Sequence, residues 1–237
     1  MTTGKLHSIE TFGAVDGPGI RTVFFLQGCP ARCMYCHNPD SWTVTEETEQ
    51  ITIERVVHTA KRGRPYYGKD GGVTFSGGEP LMQGAFLSEA MDALAEEGIS
   101  TVIDTSGTYI DEFTQKVIED SQLLLLDIKH SDPKKFEEIT GLKQDNLLRV
   151  IDLANEADKP LWIRQVIVPG FNDTEENAAE LKAFVKQRVK NLYKSELLGY
   201  HNMAIEKWDK LGIPYKLRDV EPMDRGKLAR LSQTIGL

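Results

Sequence analysis

The chain has 237 residues, 40% hydrophobic and 27% charged, the make-up of an ordinary globular protein long enough for one sizeable domain. Its 28 basic and 36 acidic residues leave a net charge of −8, which offers no basic footprint for nucleic acid or an anionic membrane. No run of about 18 apolar residues is available to span a bilayer, and Met1 to Glu10 lacks the basic-then-apolar pattern of a leader, so the cytoplasm is the expected compartment.

In chain order, Thr22–Gln27 (TVFFLQ) reads as a buried strand that runs into a loop holding all three cysteines. A helix is expected over Thr52–Arg62, a short strand over Gly72–Phe75, and a helix over Gln83–Glu97 stopped by Gly98. Ser100–Asp104 returns as a strand, Asp111–Glu119 as a helix, and Gln122–Lys129 (QLLLLDIK) as the most apolar strand in the chain. Helices follow at Pro133–Thr140 and Asn146–Ala157, a strand at Leu161–Val168, and a helix at Thr174–Val189. The last expected strand is Asn191–Gly199, with helices after His201 and from Asp224 to Thr234.

Continuous apolar strands joined by crossover helices imply an α/β fold with a parallel sheet. Polar residues gather at the strand ends: the cysteines after the first, Gly-Gly-Glu after the second, Asp104 on the third, Asp127 and Lys129 on the fourth, His201 after the sixth. An open doubly wound sheet concentrates its site at one switch point, whereas strand ends that all bear chemistry fit a barrel mouth. The expected architecture is a partial (β/α)6 TIM-like barrel with parallel strands, its site at the C-terminal mouth, in a single domain over residues 1–237.

Cys29, Cys33 and Cys36 are the only cysteines. An odd number confined to one loop is not a disulfide framework. Thiolates point to iron–sulfur, zinc or haem. Cys33-Met34-Tyr35-Cys36-His37 matches the haem attachment pattern, but that pattern leaves Cys29 idle and goes with export. Zinc needs a fourth ligand, either His37, strained by its place beside Cys36, or a distant His7, His58, His130 or His201. A four-iron cluster held by three cysteines keeps one iron without a protein ligand, and an open position is where an exogenous ligand binds.

The spacing Cys29-x3-Cys33-x2-Cys36, with Tyr35 before the last cysteine, resembles the signature of the radical S-adenosylmethionine enzymes. Asp16-Gly17-Pro18-Gly19-Ile20-Arg21, Phe25-Leu26-Gln27-Gly28-Cys29 and Tyr35-Cys36-His37-Asn38-Pro39 are similar to the glycyl-radical activating enzymes within that superfamily. So are Ser76-Gly77-Gly78-Glu79-Pro80, Asp104-Thr105-Ser106-Gly107, Leu126-Asp127-Ile128-Lys129, Trp162-Ile163-Arg164, Val168-Pro169-Gly170 and Tyr200-His201, in order over nearly the whole chain.

The resemblance implies one [4Fe–4S] cluster on Cys29, Cys33 and Cys36, with S-adenosylmethionine chelating the open iron. Reductive cleavage would give methionine and a 5′-deoxyadenosyl radical that removes a hydrogen from a glycine Cα of a partner enzyme. No catalytic residue beyond the cluster and S-adenosylmethionine is expected. Gly78 and its neighbours would let backbone carbonyls approach the methionyl ammonium. Lys129 would offset the carboxylate, and the Asp127-Ile128-Lys129 strand end would serve the ribose. Tyr35, Cys36, His37 and His201 would surround the adenosyl group. Asp104 and Asp127 could share an alkali or alkaline-earth cation. Asp16 is the expected point of substrate engagement, while Trp42, Trp162 and Trp208 read as packing residues.

Many such activases carry an inserted segment with about eight further cysteines for two more clusters, and this chain has none. That favours the branch acting on pyruvate formate-lyase over the dehydratase, decarboxylase and benzylsuccinate branches, with reduced flavodoxin or ferredoxin as electron donor and a monomer as the expected state. An activase of ribonucleotide reductase, or a small-molecule radical enzyme of the carboxy-deazaguanine synthase kind, is the alternative.

Overall fold

The computed structural model describes residues 2–236. It opens on β1 (Thr3–Gly13) and β2 (Arg21–Leu26), passes through the cysteine loop, and reaches β3 (Glu49–Thr52). Strands and helices then alternate: α1 (Ile53–Tyr67), β4 (Gly72–Gly77), α2 (Gly84–Glu96), β5 (Thr101–Thr105), α3 (Thr114–Asp120) and β6 (Leu123–Asp127). After α4 (Pro133–Thr140) and α5 (Asp145–Glu156) come β7 (Leu161–Ile167), α6 (Glu175–Arg188), β8 (Leu192–Gly199), α7 (Ile205–Lys210) and α8 (Arg225–Ile235).

Short polar side chains start several of these helices. Thr52, Asp132, Thr174 and Asp224 each accept a backbone N–H from the first turn, satisfying donors that have no partner within the helix. α3 begins later than the sequence suggests because Asp111 is spent on its approach: its carboxylate accepts the Phe113 N–H at 2.9 Å. α1 runs on through Pro65, five residues past its expected end.

All strands join one eight-stranded sheet in the order β3-β1-β2-β4-β5-β6-β7-β8. The six expected strands are β2, β4, β5, β6, β7 and β8, and they pair in parallel. Two strands beyond the expected six extend the sheet: β1 runs antiparallel to β2, and β3 antiparallel to β1. The sheet is open, with β3 and β8 at its edges.

Alternation along each strand separates two faces. Phe24, Leu26, Phe75, Ile103, Leu124 and Ile163 belong to the main core, the face that helices cover in a parallel sheet. The residues between them point to the other, concave face. There Val102, Leu123, Leu125 and Trp162 form a small apolar floor, and Asp104, Asp127 and Arg164 stand two residues further along the same strands. Among the described residues, no helix is long and apolar enough to cross a membrane.

Candidate active site

The strands deliver their C-terminal ends to one cavity of about 520 Å³, a size suited to a small organic ligand. Cys29, Cys33 and Cys36 line it, with Asp16, Gly78, Asp104, Asp127, Lys129 and His201 on other walls. Tyr35 and His37 also reach it. Ile128 does not: its side chain packs in the main core. Its N–H donates to the Arg164 carbonyl at 2.9 Å, and its carbonyl accepts from Gln165 at 3.1 Å. Strand alternation turns the Ile128 side chain to the face opposite Asp127.

The cysteine loop is held from both sides. Gly28 N–H donates to the Ser41 carbonyl at 2.7 Å and Met34 N–H to the Ile139 carbonyl at 3.0 Å. The three cysteines are free thiols. Burial pushes Cys29 up to about 12 and Cys33 up to about 11, and it also raises Cys36. The thiols are therefore neutral until a metal takes up their sulfurs and displaces their protons.

Beside this loop runs the glycine turn after β4. Gly77 has φ 111°, and a Cβ there would lie 2.3 Å from Leu26 N. At Gly78 a Cβ would lie 2.1 Å from the Gly28 carbonyl oxygen, so only glycine lets the two loops touch. Glu79 completes the join. Its N–H donates to Gly28 O at 2.8 Å, and its fully buried carboxylate accepts from Thr105 Oγ1 at 2.5 Å and from Ser106 N and Oγ at 3.0 and 2.7 Å. One carboxylate thus ties the turn to the loop after β5.

Below the loops lies an ionic layer that the sequence reading did not assemble. Arg164 Nε donates to Asp127 Oδ1 at 2.8 Å, and Arg164 also bonds Asp104 Oδ1. Ser76 Oγ donates to Asp104 Oδ2 at 2.8 Å, and Lys129 Nζ to Asp127 Oδ2 at 2.9 Å. Every carboxylate oxygen of the pair accepts from a side chain, and the Arg164 guanidinium bridges the two aspartates. Burial raises Asp104 to about 6, despite the opposing pull of Arg164. Asp127 is buried too, but the charges of Arg164 and Lys129 overcome that and hold it at about 2. Burial works against the charge on Lys129, but Asp127, Tyr35 and Cys33 together outweigh it and raise its pKa. Asp16 is raised, chiefly by burial, with Arg164 opposing.

At the rim, the rings of His37 and His201 lie 3.8 Å apart between centroids, and His37 Nε2 is 3.2 Å from the His201 carbonyl. Burial lowers the His37 pKa, and His201 lowers it further. The Tyr35 hydroxyl and His201 Nδ1 are buried without a partner, although both residues line the cavity. Buried polar atoms normally have partners, so these two are poised for a ligand. Arg164 and Ser76 were absent from the expected site. Their signal in the sequence was a polar residue on the inward phase of an apolar strand.

Residues 23–181 match the radical SAM superfamily. A pyruvate formate-lyase-activating enzyme from Clostridium pasteurianum is 43% identical over 234 residues, covering 98% of this chain and 97% of that protein. The chain belongs to the radical SAM superfamily, among the pyruvate formate-lyase-activating enzymes. The enzyme of the same description from Staphylococcus epidermidis (strain ATCC 12228 / FDA PCI 1200) is 40% identical, covering 94% of this chain and 92% of its own. A solved domain of a pyruvate-formate lyase-activating enzyme from Bacteroides vulgatus ATCC 8482 superposes with a TM-score of 0.57 at 25% identity, covering 70% of this chain and 93% of that one.

Membership of the radical SAM superfamily implies an iron–sulfur cluster and S-adenosylmethionine, and the residues present fit both. Among the described residues, no three or more His, Cys, Asp or Glu side chains converge as a single-ion site requires. The cysteines of a cluster each bind a different iron and need only share a wall. The glycine cradle and the two unpartnered polar atoms supply the rest of a ligand pocket.

Proposed function

We propose that this chain activates pyruvate formate-lyase by generating a glycyl radical on it under anaerobic conditions, as one radical SAM domain spanning residues 1–237. The observation that carries this reading is full-length similarity, at 40 and 43% identity, to two enzymes named for that activity. The shared cavity wall of three thiols and a glycine turn supports it.

When bound, the cluster and S-adenosylmethionine supply an electron for sulfonium cleavage and a carbon-centred radical able to remove a glycine Cα hydrogen. Cys29, Cys33 and Cys36 hold the cluster by their thiolates. Gly78 offers close backbone approach to the methionyl ammonium, and Lys129 offsets the methionyl carboxylate. Asp127 bonds the ribose, held in its ionised form by Arg164 and Lys129. Tyr35, Cys36 and His37 present backbone to the adenine, with His201 beside them. Asp104 keeps Arg164 in place, and Asp16 faces the glycine loop of the partner. The floor of Val102, Leu123, Leu125 and Trp162 excludes water from beneath the reacting centre. Reduced flavodoxin or ferredoxin is the electron donor, the protein works as a monomer, and the reaction takes place in the cytoplasm.

The test combines iron-reconstituted protein, S-adenosylmethionine, a low-potential reductant and inactive pyruvate formate-lyase without oxygen. The proposal expects 5′-deoxyadenosine and pyruvate formate-lyase turnover to appear together. Formation of 5′-deoxyadenosine while pyruvate formate-lyase stays inactive would reject the substrate and point to another glycyl-radical protein or a small molecule.

A further inference from the structure

The last arm of the cysteine loop, residues 36–40, is held by partners that lie 164 to 172 residues further along the chain. Two neighbours on α7 supply most of them. Trp208 Nε1 donates to the Cys36 carbonyl at 2.9 Å. Lys207 Nζ donates to Asn38 Oδ1 at 2.8 Å and lies 3.0 Å from Asp40 Oδ2, which His7 Nε2 also approaches at 3.2 Å. The Trp208 ring is fixed in place: it meets Trp42 edge-on with centroids 5.1 Å apart, and Tyr215 at 4.9 Å. The Tyr215 and Tyr200 hydroxyls lie 2.9 Å apart, and Tyr200 donates onward to the Leu217 carbonyl at 3.1 Å. These rings share an apolar cluster with Cys33, Met34 and Tyr35 of the loop, separate from the main core. A buried indole N–H needs some acceptor. Packing alone does not explain why two consecutive residues converge on the same five residues of the loop.

We propose that Trp208 and Lys207 are positioning residues for S-adenosylmethionine: they fix residues 36–40 so that the backbone of Cys36 and His37 stands ready for the adenine. The inference rests on the reading above that this loop presents its backbone to that ring. Cys36 and His37 line the cavity, whereas Trp208 and Lys207 do not, so the two act through the loop rather than on the ligand. A bond to the Cys36 carbonyl fixes the plane of the Cys36–His37 peptide, and in a trans peptide the His37 N–H then points away from Trp208. A backbone already held in its binding geometry loses less freedom when the ligand arrives. The rest of the loop has its own anchors, since Cys29 N–H donates to the Trp42 carbonyl at 3.1 Å and Met34 N–H to the Ile139 carbonyl. Loss of either α7 donor therefore weakens nucleotide binding and spares the sulfurs that hold iron.

The experiment titrates the full-length, iron-loaded protein with S-adenosylmethionine and follows the shift in the electron paramagnetic resonance signal of the reduced cluster. Iron content is measured on the same samples. Benzothienylalanine in place of Trp208 keeps the ring shape without the N–H, and it is expected to weaken binding about tenfold at unchanged iron content. Lys207→Met, which removes a half-exposed donor, is expected to weaken it about threefold, and Lys207→Arg to restore it. Tyr215→Phe breaks the hydroxyl pair that braces the Trp208 ring but removes no bond to the loop, and it is expected to change affinity by less than about twofold. Unchanged affinity in both α7 variants, an equal loss in Tyr215→Phe, or loss of iron from both α7 variants would overturn the proposal. Wild-type protein whose loaded cluster gives no shift with S-adenosylmethionine would instead refute the reading on which it rests.

Discussion

Arg21 and Arg164 are both buried, and strand alternation turns both toward the concave face, yet their charges are accommodated in opposite ways. Arg21 sits at the start of β2 and has no carboxylate within ion-pair distance among the described residues. Its Nε donates to Thr74 Oγ1 at 2.8 Å, its Nη1 to the Pro18 and Asp70 carbonyls at 3.1 Å each, and its Nη2 to the Val73 carbonyl at 2.8 Å. Burial lowers its pKa to about 10, which still leaves it charged at neutral pH. Arg164 stands in the ionic layer of the cavity between two carboxylates, which outweigh its burial and raise its pKa. Arg21 organises backbone, so it is framework. Arg164 organises charge, and the charges it organises line the site. The segment from Asp16 to Arg21 therefore divides into a site end and a scaffold end.

The largest expected break in that comparison is Arg21→Ala. It strands several buried carbonyls together and should lower stability by roughly 4 kcal/mol, read as a shifted urea midpoint of the metal-free protein. A cost below about 1 kcal/mol would remove the framework assignment. Arg164→Met should be milder for stability, because freed carboxylates can take up protons. It should nevertheless slow 5′-deoxyadenosine formation at least tenfold, equivalent to about 1.4 kcal/mol. Unchanged turnover would take Arg164 out of the site.

A subtler difference lies in pH dependence. Asp104 keeps its proton to about 6 in the folded protein, whereas its ordinary value is 3.8. Between those limits the folded state binds more protons than the unfolded one, so this group makes stability fall as pH rises from about 4 to 6. Asp127, held at about 2, acts in the opposite sense below that window, with stability lost as pH falls. Unfolding of the metal-free protein across pH 4 to 6 should show the decline, and Asp104→Asn should flatten it. The smallest expected effect is Thr74→Val. Thr74 accepts from Arg21 and donates to the Asp16 carbonyl at 2.7 Å, so its loss should cost about 1 kcal/mol. Thermal unfolding would measure that cost, and a neutral result would show that Arg21 does not act on Asp16 through this hydroxyl.

Much of this was legible in the residues. The six parallel strands announced themselves because strands buried on both faces must be continuously apolar, as in TVFFLQ and QLLLLDIK. The cysteine loop was legible because sulfur at fixed spacing has few uses. β1 and β3 were not. Thr3–Gly13 is largely polar, with few fully buried positions, and Glu49–Thr52 contributes a single buried residue. Backbone pairing with neighbours distant in sequence makes them strands, and composition does not register it. The place of Arg164 in the site is not legible from its own strand. Its meaning depends on Asp127 and Asp104, which lie 37 and 60 residues away. The tryptophans read as packing residues are indeed buried.

The most direct test of the central claim is electron paramagnetic resonance on anaerobic, iron-reconstituted protein mixed with pyruvate formate-lyase, S-adenosylmethionine and a low-potential reductant. The account predicts a glycyl-radical doublet with the wild-type chain and none with Cys36→Ala. A cluster signal that shifts on adding S-adenosylmethionine, without any doublet on pyruvate formate-lyase, would contradict it.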